Sequence, residues 1–362
     1  MIDLLTYRDS ALSKKLVDKL IPELEQQREK LGRKLRIMEV CGTHTVSISK
    51  SGIRELLSPY VELISGPGCP VCVTDQADID QMIAFAQRSD VIVTTFGDMM
   101  KVPGSRSNLF AEKANGADVR VVYSAAESVE VARNHSERKV VFLGVGFETT
   151  APGIASSMKW AKQQKIGNYY VYSAHKLTPP AVDVLLQDVE HRIDGFLLPG
   201  NVSVIVGRKG WLNLEAANVP AVIGGFEPVD LLSSIYLLSK EMANERHRVV
   251  NNYERVVREN GNPKAMALLH EVFAIQDTKW RGIGTLPQSG LGIAEVYQAF
   301  DASLRIEVET PPTRTIKGCQ CGEIIKGKLG PFDCKLFARA CTPENPSCPC
   351  NYPSRRGSTG AC

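Results

Sequence analysis

Eight short apolar runs, each followed by turn residues and a segment of helical character, constrain the fold more than any other feature of this chain. They cover residues 35–40, 61–65, 90–96 and 119–124, then 139–145, 169–173, 193–200 and 219–225. Apolar runs of strand length without polar alternation are buried on both faces, the condition of strands in a parallel sheet covered by helices. The chain is therefore expected to be α/β, with two doubly wound, Rossmann-like units at residues 34–128 and 129–226. Ahead of them, residues 9–31 read as a charged amphipathic helix stopped at Gly32. From Pro228 to about Phe273 the apolar spacing is helical, interrupted at Gly261-Asn262-Pro263, and residues 303–309 are a strand candidate. A third unit, helical and cysteine-rich, takes residues 1–33 and 227–362.

A length of 362 residues suits two or three domains. A net charge of +3 is too weak to indicate nucleic acid or an anionic membrane as a partner. The opening MIDLLTYRDSALSKKL has no long apolar run, so neither a secretion signal nor a membrane span is expected there. These features point to the cytoplasm, where structural disulfides are disfavoured and clustered cysteines mean metal or redox chemistry.

The 10 cysteines fall into two groups. Cys41 opens CGTHT directly after the first apolar run. Cys69 and Cys72 belong to GPGCPVC, just after the second run and before a helical segment. Ligands of open α/β sheets bind beyond the carboxyl ends of strands, so both motifs are expected on that edge, on neighbouring loops. The C-x-x-C spacing suits a dithiol/disulfide couple or two ligands to one metal, and a helix start lowers a thiol's pKa. With His44, the three thiols make a plausible soft site for iron or zinc. Buried apolar packing for Cys41 and a structural hydrogen bond for His44 are the plainer alternatives.

The second group is Cys319, Cys321, Cys334, Cys341, Cys348, Cys350 and Cys362. This tail has little periodicity and much Pro and Gly, so a bound cluster is expected to hold it together. Zinc ribbons use C-x₂₋₄-C knuckles, which the tail lacks, whereas four thiolates suffice for a 4Fe-4S cluster. The surplus suggests that one cysteine of each C-x-C pair is a ligand and its neighbour part of a redox dithiol.

CGTHT, GPGCPVC, GFETTAP (146–152), PGNVSVIVG (199–207), CQCGE and CTPENP (341–346), in this order, resemble the hydrogenase maturation protein family HypD. The resemblance runs from about Leu35 to the end. It implies two α/β domains and a helical C-terminal domain carrying a 4Fe-4S cluster. It further implies a scaffold on which an iron ion receives cyanide and carbon monoxide, rather than a turnover enzyme. The implied partners are a HypC-like small chaperone, a HypE-like cyanide donor and, indirectly, the hydrogenase large subunit. Carried over, Cys41 resembles the iron ligand shared with the small partner. Cys69 and Cys72 match iron ligands, a redox dithiol, or both in turn. Cys319, Cys334, Cys341 and the last cysteine, Cys362, match the cluster positions, while Cys321 and Cys350 resemble the neighbouring dithiol. Two departures stand out: Asn201 replaces the family's usual His, and the extra Cys348 leaves the fourth cluster ligand open between Cys348 and Cys362.

Iron carrying cyanide and carbon monoxide must be electron-rich, which thiolate donors favour. A tail folded back over the strand edge would let a cluster and dithiols relay electrons to the early C-x-x-C. Glu148, Asp98 and His175 each follow a strand. The Glu148 segment is a candidate for shaping the iron cavity or a partner contact, with helix capping by Thr149-Thr150 the structural alternative. Asp98 and His175 are candidates for giving a proton or a hydrogen bond to a cyanide nitrogen, with a structural role the alternative. GVGFET lacks the full dinucleotide fingerprint, so no nucleotide site is expected. The competing class is a cluster-dependent thiol–disulfide oxidoreductase, which has no need of Cys41; a purely structural zinc protein would use neither cysteine group for electrons.

Overall fold

The computed structural model describes residues 4–187, 193–313 and 317–342. Its strands are β1 (Leu35–Glu39), β2 (Val61–Ser65), β3 (Val91–Thr95), β4 (Val119–Val121), β5 (Lys139–Gly144), β6 (Tyr169–Ser173), β7 (Gly195–Pro199), β8 (Ala221–Gly224), β9 (Val249–Asn251), β10 (Phe273–Trp280) and β11 (Gly284–Ile293). All eight expected runs are strands, and β1 to β9 pair only in parallel.

The sheets do not follow the expected division at residue 128. One has the order β2-β1-β7-β8-β9 and the other β4-β3-β5-β6. The second sheet is thus an insertion between β2 and β7, and the first closes only when the chain returns. Register makes this concrete: Ile37 pairs with Gly195 and Glu39 with Leu197. Strands buried on both faces share one apolar composition, so strand order alone does not reveal which strands are neighbours.

Both faces of each sheet are covered. Ile37, Leu197 and Val222 pack with Leu20 and Leu24 of the helix Ser10–Leu31 and Leu238 of the helix Pro228–Ala243. The adjacent residues Met38, Phe196 and Ile223 point the other way, into a cluster with Trp211, Trp280, Ile324 and Ile325. In the second sheet Val140 and Phe142 face one cluster while Val141 and Leu143 face another. The helix Ser10–Leu31 starts where Asp9 accepts from the Leu12 amide at 2.7 Å, and stops at Gly32 with φ 66°.

The expected third unit needs redrawing. The helix Ser10–Leu31 and strand β9 belong with the first sheet. The first helix beyond Pro228 ends at Ala243, β9 follows as an edge strand too short to show a period, and the second expected helix runs Pro263–Val272 after the break at Gly261-Asn262-Pro263. Residues 303–309 are not a strand: Asp301 caps the short helix Ala302–Arg305, accepting from the Ser303 amide at 2.9 Å. The hairpin β10–β11 escaped the sequence reading because Pro287 and three strand glycines mask its alternation. It is antiparallel and bridges the two sheets, Thr74 facing Trp280 and Lys176 facing Gly290. Among the described residues no helix is long and apolar enough to cross a membrane.

Candidate metal and thiol centre

The first sheet reverses its winding between β1 and β7: β2 lies to one side of β1, while β7 and β8 extend to the other. Loops leaving the carboxyl ends of two such strands diverge and open a crevice, the usual ligand site of this architecture. Cys41 stands at that point, as N-cap of the helix Gly42–Lys50. It is buried, and its Sγ lies 3.8 Å from Oδ1 of Asn201, which leaves the end of β7.

The loop after β2 runs directly against Cys41. The Gly42 amide donates to the Gly68 carbonyl at 3.0 Å. A Cβ on Gly68 would lie 2.5 Å from Cys41 Cα, so only glycine allows this backbone-to-backbone approach. The next residue, Cys69, is N-cap of the short helix Pro70–Val73, its Sγ accepting from the Cys72 amide at 3.3 Å. Cys69 and Cys72 are joined as a disulfide with Cα atoms 5.3 Å apart. The three early cysteines therefore occupy adjacent loops on one sheet edge.

His44 is turned elsewhere. Its Nε2 lies 3.1 Å from the Gly225 carbonyl and 3.3 Å from that of Gly224, at the end of β8, and its ring packs on Phe226. Burial lowers its pKa to about 4, against a smaller opposing effect of the two carbonyls, so the ring is neutral and donates through Nε2. Among the described residues no three His, Cys, Asp or Glu side chains are gathered closely enough to hold a metal ion.

The tail lies on the same crevice. Cys321 opens the helix Cys321–Ile325, whose Ile324 and Ile325 bury against Met38 and Ile64 of the first sheet. Each isoleucine contributes on the order of 2 kcal/mol to that docking. Arg36 donates to the Gly327 carbonyl at 2.9 Å. Cys334 and Cys341 are brought together by a tight turn in which the Cys341 amide donates to Leu336 (2.9 Å) and the Ala338 amide to Cys341 (3.1 Å). Cys321, Cys334 and Cys341 share one buried cluster with Cys72, and Cys69 and Cys319 pack at its margin. The donors are thus of the right kind for an iron–sulfur cluster, on short turns in an apolar setting. Cys348, Cys350 and Cys362 lie outside the described residues.

The hairpin turn locks these parts together. Arg281 donates its amide to the Val73 carbonyl (2.8 Å), Nε to Thr74 (2.9 Å) and Nη2 to Gln76 Oε1 (2.9 Å). Next to it, Gly282 meets Gly322: a Cβ on Gly322 would lie 2.8 Å from Gly282 Cα. One turn therefore touches the residue after Cys72 on one side and the residue after Cys321 on the other. No local sequence pattern marks Arg281 or Gly282 for this role, because their partners lie some distance away in the chain.

Glu148, Asp98 and His175 sit at the carboxyl edge of the second sheet. Glu148 accepts from the Thr178 amide (2.6 Å) and Thr178 Oγ1 (2.9 Å), and burial raises its carboxyl to about 7. Thr150 is N-cap of the helix Ala151–Gln163, yet its hydroxyl donates back to Phe147 at 3.1 Å. Burial raises the Asp98 carboxyl and lowers His175 to about 3. His175 Nδ1 lies 3.0 Å from Ser173 Oγ. The Glu148 loop reaches the cysteine cluster through Phe147, stacked on Trp280 at 6.0 Å.

A family model described as HypD, hydrogenase formation hypA family, matches residues 15–362. The hydrogenase maturation factor HypD of Cupriavidus necator is 40% identical over 365 residues, covering 98% of this chain and 94% of that protein. HypD of Escherichia coli is 40% identical over 335 residues, covering 91% of this chain and 90% of its own length. HypD of Azotobacter vinelandii is 38% identical over 364 residues, with 98% and 94% covered.

Proposed function

The chain belongs to the HypD family of hydrogenase maturation factors, and from that premise we propose that it is the scaffold on which the iron of a nickel–iron hydrogenase receives its cyanide and carbon monoxide ligands. One observation carries the reading: Cys41 stands at the switch point of the first sheet with the Cys69/Cys72 loop laid against its backbone. Iron is the cargo. Cys41 supplies the anchoring thiolate, a strong donor that favours back-donation to carbon monoxide. Burial excludes water from the sulfur, and Asn201 presents an amide oxygen where a charged or basic group would compete for the metal.

Cys69 and Cys72 cycle between disulfide and dithiol. Reduction breaks one S–S bond and takes up two electrons and two protons, and it releases two thiols beside Cys41 as further ligands. Cys319, Cys334, Cys341 and either Cys362 or Cys348 would hold a 4Fe-4S cluster, with Cys321 and Cys350 as the adjoining dithiol. Such a cluster supplies one-electron transfer next to these thiols. The docking of the 321–325 helix on Met38 and Ile64 supports this division, since it brings tail thiols to the early pair. His44 serves here as a neutral strut between its helix and β8 rather than as a ligand. A HypC-like chaperone and a HypE-like cyanide donor are the proposed partners, and the cytoplasm the proposed compartment.

The disulfide itself favours a second reading, a thiol–disulfide oxidoreductase. Infrared spectroscopy of anaerobically purified protein, co-produced with its small partner, separates the two. Metal-bound cyanide and carbon monoxide bands that vanish in Cys41→Ala, with cluster iron retained, are expected for the scaffold. Cluster without such bands in the unaltered protein would transfer the assignment to the oxidoreductase.

A further inference from the structure

Lys176 is the one lysine among the largest fully buried side chains, with no exposed surface. A buried ammonium is costly unless opposed by charge and satisfied by hydrogen bonds. Lys176 Nζ donates to the Lys279 carbonyl at 2.8 Å and lies 3.5 Å from Thr278 Oγ1. It also sits 5.8 Å from the ring centre of Trp280. Burial lowers its pKa, against the smaller opposing effect of the charges on Asp78 and Asp75, in and just before the first turn of the helix Gln76–Ala86. Asp78 accepts from the Tyr172 hydroxyl at 2.8 Å, and Asp75 pairs with Lys279 at 3.3 Å. The backbone of Lys176 adds a third attachment, its amide donating to the Gly146 carbonyl at 3.0 Å.

These contacts converge on the segment that follows Cys72. Val73 and Thr74 are held by Arg281, Thr74 bridges to Trp280, and Asp75 caps the next helix by accepting from the Ala77 amide at 3.1 Å. Trp280 shares the buried cluster of Cys72 and Val73. We propose that Lys176 is a positioning residue for the Cys69/Cys72 pair: its ammonium holds the end of β10 at the Lys279 carbonyl, where the Lys279 side chain pairs with Asp75 at the start of the helix Gln76–Ala86, and so fixes the seat of Cys-Pro-Val-Cys. A fixed seat holds the two sulfurs at bonding distance, raises their effective concentration and stabilises the disulfide. The inference rests on the dithiol–disulfide reading given above.

The two are tested separately in full-length protein. In a glutathione buffer, two glutathione thiols give two electrons and two protons to the Cys69–Cys72 disulfide and leave one glutathione disulfide. Alkylation and mass spectrometry of the peptide holding both cysteines give the equilibrium constant. Lys176→Met is expected to shift it about tenfold toward the dithiol, equivalent to about 30 mV for a two-electron couple. Lys176→Arg, which keeps the charge and a donor, is expected to recover part of the shift. An unchanged constant in a Lys176→Met protein that keeps the unaltered melting temperature overturns the proposal. A shift toward the disulfide also overturns it, since that is what loss of a thiolate-stabilising cation alone would produce. A pair in the unaltered protein that ignores the glutathione ratio contradicts the dithiol–disulfide reading instead. Hydrogen exchange then decides for Lys176: amides of residues 72–79 and 280–283 exchange at least tenfold faster in Lys176→Met while β1 is unchanged, or the seat does not depend on it.

Discussion

Replacing Glu148 with Gln should stabilise the protein at alkaline pH and do much less at acid pH. Glu148 is buried, and burial raises its carboxyl from 4.5 to about 7 despite the Thr178 amide and hydroxyl that favour the ionised form. The folded value lies above the unfolded one, so the contribution to stability is fully present below pH 4.5 and is lost as pH rises through 7. Proton linkage with these two values makes the loss about 1 kcal/mol at pH 5 and about 3 kcal/mol at pH 8. Gln keeps the geometry: its Oε1 accepts from the Thr178 amide and its Nε2 donates to the Thr178 hydroxyl.

The assay is urea unfolding of both proteins at pH 5 and pH 8, followed by tryptophan fluorescence and analysed with a common m-value. His44 and His175 also titrate differently in the folded and unfolded states, but they are present in both proteins and cancel in the difference. The stability gap between Glu148→Gln and the unaltered protein is expected to widen by about 2 kcal/mol between the two pH values. A gap that is the same at both would show that Glu148 ionises as freely inside as outside, and the burial argument would fall.

The buried histidines contribute on the acid side. His44 has a folded value of about 4 against 6.5, so its contribution is complete above pH 6.5 and lost as pH falls toward 4; His44→Gln should flatten that fall by up to about 3 kcal/mol in the same urea assay. Asn201→Asp places a carboxylate where the amide oxygen now lies 3.8 Å from Cys41 Sγ, which should raise the thiol's pKa by about one unit and slow iodoacetamide labelling of Cys41 at pH 7.5 about tenfold; an unchanged rate would separate Asn201 from Cys41 in solution. Gly322→Ala drives a Cβ to 2.8 Å from Gly282 Cα and should cost about 1–3 kcal/mol, most of it borne by the tail. Iron and labile sulfide per chain should then fall while circular dichroism stays unchanged.

Much of the fold was legible because it depends on local pattern. Continuous apolar runs marked β1 to β8, and the Asp9 and Gly32 caps bounded the first long helix. The placement of Cys41 and Cys69/Cys72 on one sheet edge followed from strand polarity alone. What the pattern does not carry is pairing between distant segments. Thus β7 beside β1, β9 joined to β8 and the particular residues, such as Met38, on which the folded-back tail docks were not readable. Asn201 drew notice only as a departure from the family's usual residue, yet the β1–β7 pairing sets it beside Cys41. Lys176 stood next to His175 in the sequence without any mark of burial, because the Lys279 carbonyl that its ammonium donates to comes from another element.

The insertion of the second sheet into the first has a consequence for the centre. Cys41 leaves β1, while Asn201 leaves β7, and β3 to β6 lie between them in the chain. Before β7 arrives, β1 is an edge strand, and Ile37 and Met38 lack the neighbours that bury them. Cys41 then has β2 and the Gly68 loop on one side and solvent on the other. The crevice exists only after residue 199 has paired, and it gains the tail thiols only once Ile324 and Ile325 have docked. A metal bound to Cys41 earlier would meet an incomplete, water-exposed set of donors. Interleaving the two sheets therefore couples the surroundings of Cys41 to the arrival of β7 and the docking of the 321–325 helix, which two sequential domains split at residue 128 would not do.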